Sequence, residues 1–199
     1  MTIQQHELGP ILYTQGKNHI CEGGVCDNKK SILWDEVEAL FLFAWESTAN
    51  DIAKISEGLM VDVVATTGAK IRLTEGGWGG IDDKDKSDFW NLYQLMVASV
   101  IDRQWSKLVE DIGQGKKVSF RDFDITSSAI HQKKLFGGYN IMGLDRVTAC
   151  YFANGDLAID FVNDKGSVKR KRLSTVGRIP NVHLAQAFLS SVARKNTGQ

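Results

Sequence analysis

The same order of elements is legible twice along these 199 residues, and that repetition constrains the fold more than any single motif. Each half opens on short runs of β-forming residues punctuated by glycine and asparagine, and each carries a glycine pair, Gly23-Gly24 or Gly137-Gly138. An apolar-Asp-charged-Val step follows, Trp34-Asp35-Glu36-Val37 in the first half and Leu144-Asp145-Arg146-Val147 in the second. Then come an aromatic strand, a hairpin and one amphipathic helix. A strongly bent antiparallel sheet leaves one end open, and a single amphipathic helix plugs it. The expected class is mainly β with α (α+β), in two modules at 1–113 and 114–199. Each is a bent antiparallel sheet or partly open barrel with a closing C-terminal helix.

The local signals support this order. In the first half a hairpin is expected through Ile11-Leu12-Tyr13 and His19-Ile20-Cys21. Val37 to Trp45 fits helix or strand by periodicity, and its Phe and Trp residues favour strand. Leu59–Ala65 and Ala69–Leu73 form a hairpin about Thr66-Thr67-Gly68, and a long helix is expected over about 88–112, capped by Ser87 or Asp88 and ended by Gly113 and Gly115. In the second half Asn154-Gly155 is a strong hairpin signal, and Asn181 is placed to cap a closing helix over about 181–195.

This order, with the apolar-Asp-charged-Val step before a strand and an Asn-capped closing helix, resembles the pleckstrin-homology-like (PH-like) superfold. It is most similar to bacterial PH-like domains of unknown function, most clearly over residues 116–195. The first copy departs from the pattern in a Trp45 to Ser56 insertion, a Gly76 to Gly80 loop and a longer helix. Such superfolds host many binding functions, so function has to be argued from sites.

Composition, at 43% hydrophobic and 24% charged, is that of a globular chain. The start of the chain has no signal-peptide pattern and no apolar run approaches a membrane span, so a cytoplasmic location is expected. The zero net charge hides a division. Up to Gly113 there are 10 Lys and Arg against 18 Asp and Glu, and beyond it 14 against 6. An asymmetry of this kind speaks to partners rather than to fold.

No grouping of side chains carries a recognisable chemistry. Cys21, Cys26 and Cys150 lack the spacing and companions of a zinc site and are expected to be reduced structural thiols. Asp82-Asp83-Lys84-Asp85 lacks the spaced ligands of a calcium loop, and the four histidines are scattered, His183 being expected to be solvated or capping. Gly76-Gly77-Trp78-Gly79-Gly80 has no Gly-Lys-Ser/Thr after it and reads as a flexible connection, with Trp78 folded back as a lid or, second to that, presented to a partner.

The densest positive charge is Lys169-Arg170-Lys171-Arg172. On a strand Lys169 and Lys171 face one way and Arg170 and Arg172 the other. With Lys133 and Lys134 in a nearby hairpin, this set is the candidate ligand-binding site, together with Trp78. No enzyme activity, cofactor or metal is expected. The leading expectation is a binding or scaffold protein for another protein, engaged through an exposed strand edge or through the oppositely charged faces. The alternative is peripheral binding of anionic lipid through Lys133, Lys134 and Lys169 to Arg172. Self-association of the acidic and basic copies is a further possibility, and no aromatic-interleaved basic platform favours nucleic acid.

Overall fold

The computed structural model describes residues 8–49, 53–78 and 80–198, with the side chains of 45–49, 53–55 and 77–78 outside the description. The order is β1 (Ile11–Gln15), β2 (Asn18–Cys21), β3 (Gly24–Cys26), β4 (Ser31–Leu33), β5 (Val37–Ala49), β6 (Ala53–Ala65), β7 (Lys70–Trp78), α1 (Asp83–Gly113), β8 (Val118–Ser119), β9 (Phe123–Ile125), β10 (Ala129–Lys133), β11 (Tyr139–Gly143), β12 (Val147–Ala153), β13 (Asp156–Val162), β14 (Val168–Thr175) and α2 (Val182–Thr197). The strands form four antiparallel sheets, β1-β2-β3-β4, β5-β6-β7, β8-β9-β10-β11 and β12-β13-β14, and none closes into a barrel. The class is α+β.

Two compact units divide the chain, Met1–Asp102 and Arg103–Gln199. The division falls inside α1 rather than at Gly113. In the second unit, Trp105 of α1 lies against Phe188 of α2 with ring centroids 6.3 Å apart, and Gln104 Oε1 meets His183 Nε2 at 3.3 Å.

Each unit repeats one plan, a four-stranded meander, a 3-10 turn, a three-stranded meander and helix, and the likeness reaches single hydrogen bonds. The 3-10 turns are Trp34–Glu36 and Leu144–Arg146, and each buries its first residue. The Trp34 amide donates to Gly23 O at 3.0 Å and the Leu144 amide to Ser128 O at 2.8 Å, both in the second turn of their meander. A bulge follows at once in both, between Val37 and Ala39 and between Val147 and Ala149. The inward apolar residues of alternating strands make the cores: Ile20, Val25, Leu40, Val61, Val63 and Leu73 in the first unit, Phe123, Ile125, Ile130, Leu157, Ile159 and Leu173 in the second. Amide side chains tie the two sheets of each unit together. Asn18 Nδ2 donates to Arg72 O on β7 at 2.9 Å, and Gln132 Nε2 donates to Arg172 O and Leu173 O on β14 at 2.7 and 3.0 Å.

Several expected details take another form. The Trp45 to Ser56 insertion takes the form of longer strands: β5 and β6 pair from Val37↔Ala65 out to Ala49↔Ala53, whereas β12 and β13 pair from Val147↔Phe161 only to Ala153↔Asp156. The Gly76–Trp78 stretch is the end of β7, paired with Ser56–Gly58, rather than a loop. Gly76 allows this because a Cβ there would lie 2.4 Å from Glu57 O and its φ is +92°. The α1 helix starts before Ser87 and Asp88, with Asp82 Oδ1 accepting the Asp85 amide at 2.7 Å. Asn181 stands at the N-cap of α2 in a left-handed conformation without a side-chain capping bond, and its carbonyl accepts from the Leu184 and Ala185 amides.

Candidate functional site

The candidate residues of the second unit are positioned by its two sheets. On β9 and β10 the alternation sends Phe123, Ile125 and Ile130 into the core and leaves Asp124, His131 and Lys133 on the opposite face. Asp124 is nevertheless buried, because Lys117 Nζ at 3.4 Å and Lys133 Nζ at 3.3 Å close over it. Burial alone would push its pKa up. The Ser119 hydrogen bond and the two ammonium groups outweigh that and hold the carboxyl below its ordinary value. Lys133 also donates to Arg121 O at 2.5 Å and Ser119 Oγ at 3.3 Å, so it straps β10 to the β8–β9 turn. Lys117 stands 5.4 Å over the ring of Tyr139, which meets His131 edge-on at 5.9 Å.

Beyond Lys133 the chain turns. The Lys134 amide donates to Gly138 O at 3.1 Å and the Gly137 amide to Lys134 O at 3.2 Å, with Gly137 and Gly138 both at positive φ. This places Leu135 and Phe136 at the apex, 90% and 97% exposed. Lys134 is exposed beside them and makes no ion pair among the described residues. Sequence reasoning missed the Leu135-Phe136 pair. The available signal was two large apolar residues between Lys133-Lys134 and Gly137-Gly138, where a turn leaves no room for a core.

The second basic cluster lies on β14 and divides by face. Arg170 Nε pairs with Asp160 at 3.5 Å, its guanidinium stands 5.1 Å over the Tyr151 ring, and Tyr151 donates its hydroxyl hydrogen to Asp160 at 2.8 Å. Arg172 Nε pairs with Asp156 at 3.0 Å. Lys169 and Lys171 alternate with these arginines and have no ion-pair partner among the described residues. The four cations therefore form no single patch. No hydrogen bond or ion pair among the described residues joins the side chains of Lys133 or Lys134 to those of Lys169, Arg170, Lys171 or Arg172.

Trp78 is paired through its backbone with Ser56, and its side chain, on which the lid reading depends, lies outside the described residues. His183, expected to be solvated or capping, is instead buried at 9% exposure, and burial lowers its pKa to about 4. Gln104 Oε1 can only accept, so in this arrangement the neutral imidazole carries its proton on Nε2. Cys21 and Cys26 are buried free thiols, and Cys150 is half-buried and free. Among the described residues no group of three or more His, Cys, Asp or Glu is arranged to hold a metal ion, and no helix is long and apolar enough to cross a membrane. No protein-family model matches the chain, and no curated protein matches it by sequence.

Proposed function

We propose that the chain is a non-catalytic binding protein made of two PH-like modules, and that its ligand is another protein, taken up as an extended strand along the open edge of β11. The PH-like reading rests on the four-strand, turn, three-strand, helix order found in both units. The observation that carries the binding reading is the contrast among the sheet edges of the second unit. Side chains are laid across two of them. Asn196 Nδ2 donates to Val147 O at 2.8 Å and Ser190 Oγ to Cys150 O at 3.4 Å on β12, and Gln132 covers the Arg172 and Leu173 carbonyls of β14. The β8 strand is only 2 residues long. The β11 edge pairs only with β10, and among the described residues no side chain bonds to its backbone. Ile141, in its middle, is 66% exposed. An uncovered edge of this kind is a template for a further strand, with backbone bonds giving affinity and alternate side chains giving selectivity.

The second unit holds 16 Lys and Arg against 8 Asp and Glu, which favours an acidic partner segment. The thiol chemistry supports a non-catalytic reading. Burial raises Cys26 to about 11 and Cys150 to about 12, the opposite of what a nucleophilic thiol needs. A displayed library of random peptides, selected on the full chain, tests the proposal. Selected peptides should protect the β11 amides from hydrogen exchange and lose about tenfold or more in affinity to Ile141→Lys, since a lysine on an edge strand opposes pairing. Protection elsewhere, or equal binding to Ile141→Lys, would overturn it.

A further inference from the structure

The apex of the β10–β11 hairpin carries a feature that the partner-strand reading does not use. Leu135 and Phe136 are the two most exposed large apolar side chains of the described residues, and they are adjacent. Single exposed apolar residues are ordinary on a protein surface, whereas a projecting pair at a turn has no fold-based reason to be apolar. The turn itself does not require them. Its geometry is set by Gly137 and Gly138, both at positive φ, where a Cβ would meet nothing within 4 Å.

What surrounds the pair is ordered by distance along the hairpin. Lys134 immediately precedes the apex, Lys133 ends β10, and Tyr139 opens β11 directly opposite Lys133 with Lys117 over its ring. The sequence of layers is thus apolar at the tip, cationic behind it and an amphipathic aromatic at the base. A bilayer leaflet presents the matching layers, acyl chains behind a headgroup region that is anionic when acidic lipids are present. A protein groove would accept the apolar pair without requiring the cations. A second copy of this unit, which also carries twice as many Lys and Arg as Asp and Glu, would repel it.

We infer that the 134–138 turn is a membrane-docking tip, inserting Leu135 and Phe136 into the interface of an anionic lipid surface while Lys134 lies against headgroup phosphates. Lys133 is already held by Asp124, Ser119 and Arg121 O, and Lys117 by Asp124 and the Tyr139 ring, so these two contribute field rather than free contacts. Two weak signals combine here, a short apolar insertion and a basic collar, and membrane association beyond the marginal level takes two such signals.

Flotation of the full chain with phosphatidylcholine vesicles, with and without phosphatidylserine, tests the inference. Leu135 and Phe136 make no core contact at their exposure, so the double variant Leu135→Ser, Phe136→Ser keeps the fold, which its unfolding transition would verify. The parent should bind phosphatidylserine vesicles in a salt-sensitive manner, and the double variant should bind about tenfold or more weakly. Lys134→Glu should weaken binding at low salt more than at high salt. In Phe136→Trp the added tryptophan should blue-shift on these vesicles and be quenched by brominated acyl chains, read as the difference from the parent and its five tryptophans. Equal binding by the double variant, or an unshifted difference spectrum for vesicle-bound Phe136→Trp, would overturn insertion. Equal binding to phosphatidylcholine alone would overturn the anionic surface. Self-association of the parent without vesicles, abolished in the double variant, would assign the tip to a second copy instead. None of these outcomes bears on peptide protection of the β11 edge.

Discussion

Counted back from the turn of each second hairpin, Asp62 faces Arg72 in the first unit and Asp160 faces Arg170 in the second. The rung is the same and its surroundings are not. Asp62 is 2% exposed, with Lys70 Nζ and Arg72 Nε both at 2.6 Å. Asp160 is partly open to solvent, and its arginine stands at 3.5 Å with Tyr151 sharing the carboxylate. The acidic unit pairs its cations internally at this rung. The basic unit keeps Lys134, Lys169 and Lys171 without ion-pair partners among the described residues. The two copies thus use this rung differently: in the first, the carboxylate is closed over by its cations, and in the second it stays partly open to solvent.

The largest effect that tests this contrast concerns the longer first-unit hairpin. Gly76→Ala should cost about 3 kcal/mol, since its Cβ would meet Glu57 O at 2.4 Å in a left-handed conformation. Gly166→Ala, also left-handed but with open space around its Cβ, should cost about 1 kcal/mol. Denaturant unfolding of the two variants measures the gap, and equal costs would show that the β6–β7 approach is not tight.

The ionic rung itself comes next. Asp62→Asn should destabilise the first unit by about 2 kcal/mol and Asp160→Asn the second by under about 1 kcal/mol, because only the first carboxylate is desolvated within its ion pairs. Burial alone would raise the Asp62 pKa, and its bonds to Arg72 and Lys70 prevail and lower it. The stabilisation is therefore present above the ordinary carboxylate range and is lost as pH falls through the depressed value. Acid unfolding followed by residue-resolved hydrogen exchange should show that loss in the first unit, and its absence there would remove the contrast.

A last effect, of similar size to the Asp62 substitution, reverses the comparison. His183 is neutral and buried in the second unit with its pKa lowered to about 4 from 6.5. The unfolded chain binds the extra proton between these values, so stability rises with pH across that window and is lost as pH falls from about 6.5 to about 4. Lowering the pH from about 7 to about 5 should cost the second unit about 2 kcal/mol, and His183→Leu should abolish the dependence. Hydrogen exchange of α2 amides at the two pH values reads it. A persistent slope in the variant would place the proton elsewhere.

Much of the architecture was legible in the residues. The apolar-Asp-charged-Val steps became the 3-10 turns, the strand reading of Val37 to Trp45 held within β5, and Asn154-Gly155 made its hairpin, with Asn154 and Gly155 both at positive φ. These are local signals, fixed by alternation and by turn residues that few conformations suit. The Gly76 stretch was misread because glycines signal flexibility and close backbone approach alike, and only the neighbouring strand distinguishes the two. The candidate site was half legible. Lys133 and Lys134 were visible as charge, while the Leu135-Phe136 apex and the strapping of Lys133 to Asp124 were not.

By itself, then, the sequence determined the repeated order of strands, turns and helices and the opposite charge of the two halves, because periodicity, turn chemistry and composition are properties of neighbours along the chain. Only the tertiary structure decided which charges are paired and which are open. Asp124 and Asp62 are buried by cations brought over them across space, His183 is neutral because burial encloses it beside Gln104, and Gln132, Ser190 and Asn196 bond to the β14 and β12 edges while, among the described residues, no side chain bonds to the β11 backbone. Desolvation depends on what lies across space, and spacing along the chain does not carry it.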